Sequence, residues 1–116
     1  MDSSLKQALN FANYQNTLSV HQKTLREKID AKLTYAVNGG IFKIDQTLIA
    51  FVQMLVDQGR SSGVPLLDIN FTPVLIDNLE DFRDEILDRY FSSTLEYYSD
   101  YQKLKQQRSV EKLLDL

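Results

Sequence analysis

The chain has 116 residues and a formal net charge of −3, from 13 basic and 16 acidic side chains. Its composition, 43% apolar and 25% charged, is typical of a single globular domain and argues against disorder throughout. The lack of cysteine excludes disulfides, thiolate nucleophiles and thiolate metal sites, and a single histidine excludes a multi-histidine metal site. We expect no transmembrane segment and no signal peptide, and therefore a soluble protein of the cytoplasm.

The first predicted element is a long helix over about residues 4–37. Residues 3–37 contain no glycine or proline, and their apolar side chains recur mostly at steps of three, four or seven. Asn38-Gly39 can close such a helix, because both residues tolerate the left-handed conformation. A helix of this length in a small domain needs a partner of comparable length.

Shorter elements are predicted in the middle of the chain. Residues 41–44 indicate a short strand, and residues 46–58 a helix, with Asp45 as its N-cap and Gly59 after its end. This helix is apolar on nearly all sides, so we expect it to be buried between the long helices or against another chain. Residues 64–76 predict a β-hairpin, which residues 41–44 could join as a third strand.

The last predicted helix covers about residues 77–108, and residues 109–116 form a tail. Asp77 with Glu80 fits a capping box, and Thr72-Pro73 is a competing start. The predicted fold is therefore mainly α with minor β: a long antiparallel helical hairpin with a short buried helix and a small β-hairpin, in a single domain over residues 1–116. Two apolar stripes run along this helix, the first through Leu79, Phe82, Ile86, Tyr90, Thr94, Tyr97, Tyr101 and Leu104, and the second through Leu87, Phe91, Leu95 and Tyr98.

Two stripes predict contacts on two sides of the helix, so we expect the second stripe either to pack within the chain or to form a subunit interface. Tyrosine suits surfaces that are partly buried and partly wet. The apolar end of the tail could be a docking peptide or a frayed helix end. The interface candidates are Tyr90, Phe91, Tyr97, Tyr98, Tyr101, Leu113, Leu114 and Leu116.

Acidic residues crowd the start of the last helix. A Mg²⁺-dependent nucleotide hydrolase could use Glu80, Asp84, Glu85 and Asp88, since Glu85 and Asp88 form the E-x-x-D pattern of helical nucleotide pyrophosphatases. The first helix offers only Glu27-x-x-Asp30 among basic neighbours, so a solvated acidic face is the favoured interpretation. We predict no catalytic, cofactor-binding or metal-ligating residues, and no enzymatic activity.

The basic residues of the first helix have a simpler predicted role. The stretch from Lys23 to Lys32 is expected to face the acidic start of the last helix, and it is too short for nucleic-acid binding by an acidic chain. His21 lies on the apolar stripe, and the sequence indicates no nucleophile or orienting carboxylate that it could act with in catalysis. We therefore interpret it as a packed or interface histidine.

Several runs of this sequence resemble small proteins of T4-like tailed phages, of the marine and cyanophage type. The runs are Asn38-Gly39-Gly40, Pro73-Val74-Leu75-Ile76, Tyr90-Phe91-Ser92-Ser93-Thr94 with Tyr97-Tyr98, and Arg108-Ser109-Val110-Glu111-Lys112-Leu113. This group has no assigned activity, so the resemblance implies only a context, the infected host cell or the virion. We therefore expect a non-enzymatic interaction protein, a phage structural or assembly component that binds itself or other phage or host proteins. The alternative is a regulatory adaptor that docks a replication or transcription factor through its C-terminal peptide.

Overall fold

The computed structural model describes residues 3–114, with side chains described over residues 3–107. The fold is mainly α with minor β, as predicted. Two long helices form a helical hairpin, and between them in sequence lie one short helix and two antiparallel β-hairpins. The elements are α1 (Ser3–Lys32), β1 (Thr34–Val37), β2 (Gly40–Lys43), α2 (Gln46–Asp57), β3 (Val64–Leu67), β4 (Pro73–Ile76) and α3 (Leu79–Leu114).

The described chain divides into two compact units. The helical unit contains α1 through Lys28 and α3 from Glu96 onward, and the mixed unit spans Ile29–Leu95. In the helical unit, the Lys28 ammonium lies 3.0 Å from a carboxylate oxygen of Glu96 and 3.0 Å from one of Asp100. These ion pairs join antiparallel stretches of the two helices. The basic stretch of α1 was expected to face the acidic start of α3, but the carboxylates that bind Lys28 lie further along α3.

The mixed unit contains the main hydrophobic core. Both hairpins, α2 and the start of α3 contribute to it, through Phe42, Ile44, Val52, Leu66, Val74, Ile76, Leu79, Phe82 and Ile86. The Phe82 ring meets Phe42 edge-on at 5.4 Å and stacks on Tyr35 at 6.1 Å between ring centroids. Arg89 covers the Tyr35 ring at 4.2 Å. These contacts fix the hairpins against α3.

The predicted first helix is wrong over its last turn, because Thr34–Val37 forms strand β1 and pairs with β2. Asn38 and Gly39 both have positive φ, 51° and 82°, which is the pattern of a type I′ hairpin turn. The same dipeptide can end a helix or join two strands. Here β-branched and aromatic residues on both sides favour the strands, and burial of Phe42 and half-burial of Tyr35 secure them.

The second hairpin, β3–β4, lies where it was predicted, but residues 41–44 do not join it as a third strand. The two hairpins instead form separate sheets that approach each other closely at Gly40. A Cβ atom at this position would collide with the buried Val74 side chain, so only glycine fits. The Ile69 amide also donates to the Ile41 carbonyl at 3.0 Å, which ties the second hairpin to the first.

Local capping signals predict α2 well and α3 less well. Asp45 is the N-cap of α2 as predicted, since its carboxylate accepts from the Leu48 amide at 2.7 Å, and Gly59 follows the helix with φ of 80°. One face of α2 is buried through Val52, whereas Phe51 and Met54 on its other side are exposed. For α3, Asn78 rather than Asp77 accepts from the first turn, at the Asp81 amide. The helix continues to Leu114, beyond the predicted end.

Candidate protein-interaction surface

The hairpin β3–β4 is apolar on both of its faces. Its inner face, Leu66, Val74 and Ile76 with half-buried Val64, packs in the core. Its outer face is also apolar and is exposed, and consists of Pro65, Leu67, Pro73 and Leu75. An antiparallel hairpin with one face in solvent ordinarily carries polar residues there, so this outer face departs from the expected pattern.

The turn that joins the two strands extends this apolar surface. It contributes Ile69, which is 56% exposed, and Phe71, which is 79% exposed. Between Arg60 and Asp77 the sequence contains a single charged residue, Asp68, so the whole hairpin is almost free of charge. We call the exposed apolar side chains of β3, the turn and β4 the hairpin surface. Its members are Pro65, Leu67, Ile69, Phe71, Pro73 and Leu75.

Asp68 organises the turn through its carboxylate. One oxygen, Oδ1, accepts from the amides of Asn70 at 2.8 Å and Thr72 at 2.9 Å, and the other, Oδ2, accepts from the Ile41 amide at 3.0 Å. These bonds, above all the one from Ile41, lower the pKa of Asp68 below its ordinary value, although desolvation opposes them. Asp68 therefore holds the turn as a carboxylate and links it to β2.

Phe71 adopts an unusual backbone conformation at the end of this turn. Its φ is 59°, in the left-handed region that glycine and asparagine favour and that costs other residues about 1–2 kcal/mol. Its amide donates to the Asp68 carbonyl at 3.1 Å, and the Asp68 amide donates to the Thr72 carbonyl at 3.0 Å. The surrounding hydrogen bonds therefore impose the conformation. They hold a large aromatic side chain in solvent at a position suited to glycine.

A cavity of about 300 Å³ opens beside the turn. Its walls are mainly apolar and come from β2, α2 and the hairpin, with Leu48, Phe51, Leu67 and Ile69 among them. The charged groups at the cavity already have partners within the chain. Lys43 lies 3.4 Å from Asp30, and the carboxylates of Asp45 and Asp68 accept backbone amides. The cavity therefore offers an apolar wall and no unpaired charge from these three residues.

The strand edges of the hairpin are poorly suited to pairing with another strand. Because β3 and β4 form a two-stranded sheet, each strand has an outer edge. Pro65 on β3 and Pro73 on β4 lack an N–H donor, and the Asn38 amide group already binds the Leu75 carbonyl at 3.2 Å. The hairpin therefore presents its outer face to a partner more readily than its edges.

The sequence-based interface candidates on α3 have mixed positions. Phe91 and Tyr98 are 60% and 63% exposed, and Tyr101 is 42% exposed and stacks on half-buried Tyr97. Tyr90 is half-buried against the core, and its hydroxyl accepts from the Gln46 amide group at 3.1 Å. The outward side of the second stripe is thus exposed to solvent. The side chains of Leu113, Leu114 and Leu116 lie outside the described residues.

The acidic run at the start of α3 is the candidate site for Mg²⁺. Among the described residues, no group of three or more His, Cys, Asp or Glu side chains is placed to hold a metal ion. Within the acidic run, Glu85 binds Arg89 at 2.6 Å and Asp84 binds Arg83 at 3.1 Å. His21 is exposed on α1, so it is not packed within the described chain, which was one of its two predicted roles.

Sequence reasoning located the hairpin but missed its outer face and Phe71. A signal was present: VPLL and PVLI are apolar at every position, so neither strand alternates. An antiparallel hairpin with non-alternating strands has an apolar face left over. The positive φ of Phe71 had no such signal, because phenylalanine is not a residue expected in the left-handed region.

Comparison of the chain with protein-family models, with curated proteins and with solved structures gave no match. Within the described residues, none of the helices combines the length and apolar character needed to cross a membrane.

Proposed function

We propose that this chain is a non-enzymatic protein-interaction module that binds through the hairpin surface. The observation that carries the proposal is the exposed apolar outer face of β3–β4, continued by Phe71 in a turn that Asp68 fixes. The largest apolar patch on an ordinary monomer is roughly 300–600 Å² and is often functional. An exposed apolar patch on a hydrogen-bonded turn is typical of a binding surface that loses little conformational entropy on docking.

The conformation of Phe71 supports a binding role over a structural one. A glycine at this position would relieve the left-handed strain, and the Phe71 ring, 79% exposed, contributes little to the core. Local strain that the fold does not require is concentrated at functional sites. Phe71 is therefore the residue whose truncation should weaken binding most.

The proposed setting is a phage structural or assembly component, made in the infected host cell. This setting rests on the resemblance of the sequence runs given above, and the hairpin surface supplies the contact that such a component needs. Its partner would present a complementary apolar surface, because the hairpin offers almost no charge for recognition.

The proposal is tested by replacing two outer-face leucines with threonine. Leu67→Thr with Leu75→Thr places β-branched residues, which suit strands, on β3 and β4 and makes the outer face more polar. Tagged wild-type and variant chains are purified from the cells that make them, and the proteins that co-purify are measured by quantitative mass spectrometry. We expect the variant to lose the proteins that the wild type retains. Circular dichroism and thermal unfolding check that the fold is intact.

Two matched variants distinguish this surface from the other candidates. Phe91→Gln alters an equally exposed aromatic residue on α3, and deletion of residues 110–116 tests the C-terminal docking peptide of the adaptor hypothesis. The proposal expects both variants to retain the wild-type partners. Retention of all partners by the double threonine variant, with loss in either control, would show that the hairpin is not the binding surface.

A further inference from the structure

We infer that the occupant of the hairpin surface is a second copy of this chain, docked so that Phe71 of each copy enters the cavity of the other. This inference rests on the proposed function and names the partner. The contact is isologous: one two-fold axis relates the copies, and each copy supplies the same ring and the same cavity.

The cavity is open to solvent and has room for the ring, and the two lie on the same part of the molecule. Leu67, Asp68 and Ile69 line the cavity, and Phe71 follows two residues later. Phe71 does not line the cavity of its own chain, and 79% of its surface is exposed. A cavity of about 150 Å³ is enough to hold a benzene molecule, so the cavity of about 300 Å³ has room for a phenyl ring.

The available apolar area fits a small dimer interface. The hairpin surface and Phe51, which lines the cavity and is 46% exposed, together expose roughly 600 Å² of apolar surface per copy, taking about 150–250 Å² for each aromatic residue. If all of it were covered, two copies would bury at most roughly 1,200 Å², the lower limit of specific interfaces. The expected dimer is therefore reversible and depends on protein concentration.

The charge distribution favours a second copy over a partner of opposite charge. An isologous contact brings identical residues near each other, so a charged surface would repel its own copy. The hairpin surface carries no charge, and Asp68, the single charged residue within the hairpin, is held by three backbone amides. The apolar side chains of the hairpin surface therefore bring no like charges together. The charged side chains that line the cavity, Lys43, Asp45 and Asp68, each have a partner within their own chain.

The experiment measures the mass of the chain in solution by light scattering behind a sizing column, over a hundredfold range of concentration. We expect the wild type to shift from monomer to dimer as concentration rises. Phe71→Asn keeps a residue that tolerates the left-handed conformation but removes the ring. Truncating a buried aromatic residue weakens binding roughly 30-fold, and symmetry removes both rings at once, so we expect roughly a 1,000-fold weaker homodimer.

A mixing experiment tests the reciprocal geometry. Phe51→Glu places a charge at the lip of the cavity and spares the ring of Phe71, and it too should abolish the homodimer. Mixing it with Phe71→Asn restores one intact contact, the wild-type Phe71 of one chain in the wild-type cavity of the other. We expect a heterodimer that is weaker than the wild-type dimer and stronger than either variant alone. Phe91→Gln is the matched control and should dimerise normally.

Several outcomes would overturn the inference. A wild type that stays monomeric at every concentration would do so, as would a dimer that Phe71→Asn leaves intact or a mixture that forms no heterodimer. These results are distinct from failure of the proposed function. A monomeric chain that still loses its cellular partners on Leu67→Thr with Leu75→Thr refutes the second copy as occupant and keeps the hairpin as a binding surface.

Discussion

Asp68 makes the turn between β3 and β4 sensitive to acid. Its pKa is lowered in the folded chain, so the fold favours its ionised form over the protonated form. The contribution of this carboxylate to stability is present above the unfolded-state pKa of about 4 and is lost as the pH falls through the lowered pKa. Asparagine cannot accept at both side-chain positions, since one of them becomes a donor.

We therefore predict that Asp68→Asn is less stable than the wild type at neutral pH and that the difference shrinks as the pH falls below about 4. Urea unfolding at a series of pH values measures the effect, with Asp57→Asn as a control on the exposed end of α2. A constant difference between wild type and Asp68→Asn across this range would contradict the assigned role of the carboxylate.

Gly40 is a second residue on which the fold depends, because it allows the two hairpins to approach. We predict that Gly40→Ala lowers the free energy of unfolding by about 1–3 kcal/mol, since the added methyl group collides with Val74. Adding Val74→Ala makes room for the methyl group, so the double variant should be more stable than the sum of the two single effects predicts.

Gly39→Ala is the matched control for this pair. Gly39 has nothing near the position of a Cβ atom, but its φ is 82°, so its cost comes from the backbone alone. Val74→Ala should therefore give no rescue of Gly39→Ala in denaturant unfolding. Equal rescue at both glycines would mean that the close contact at Gly40 does not limit stability.

At the scale of the elements, α2 was predicted correctly because its signals are local and specific. Strand β1 was not predicted, because the dipeptide that follows it is compatible with both a helix end and a hairpin turn. Asp45 and Gly59 mark the ends of α2 by local hydrogen bonds and backbone conformation, so the sequence is sufficient. Asn38-Gly39 fits both a helix end and a hairpin turn, and the contacts that decide between them are distant ones, such as Tyr35 with Phe82. Distant contacts cannot be read from local spacing.

The same distinction between local signals and distant contacts applies to the candidate site. The position of the hairpin follows from its prolines and β-prone residues, but which face is covered depends on the core that α2 and α3 supply. The exposed second stripe of α3 was visible in the sequence through Phe91, Leu95 and Tyr98, because their helical spacing is regular. What remained open was whether another element covers them, which is a matter of tertiary structure.

The hairpin also allows a prediction about the energetic cost of its outer face. Leu67 and Leu75 are 60% and 55% exposed, so replacing them with threonine should change the free energy of unfolding by only about 0.5 kcal/mol per site. Fluorescence of an apolar dye that binds exposed hydrophobic surface should fall in the same double variant. A loss of stability of several kcal/mol would instead indicate that these side chains support the core.

At the scale of the whole molecule, buried apolar side chains are concentrated in the mixed unit. Among the described residues, the helical unit buries Leu18 and Leu104, whereas the mixed unit buries the other nine, from Phe42 to Ile86. Amide protection increases with burial and contact density. We therefore predict that backbone amides of β2, α2 and the first turns of α3 exchange with solvent much more slowly than those of α1 before Lys28.

Hydrogen exchange followed by mass spectrometry measures this difference directly. Peptides from Ser3 to Val20, where most side chains are exposed, should exchange fastest. Phe91→Gln serves as a control, since an exposed residue should not alter the pattern. Uniform protection along the whole chain would contradict the prediction that the mixed unit is the more stable part.

If Phe71 binds a partner as proposed, its left-handed conformation places stability and recognition in opposition at one residue. A library randomised at position 71 and sorted only for resistance to unfolding should enrich glycine and asparagine, because they relieve backbone strain. The same library sorted for association should return phenylalanine. Under the proposed function, a substitution at position 71 that raises the melting temperature would therefore also abolish association.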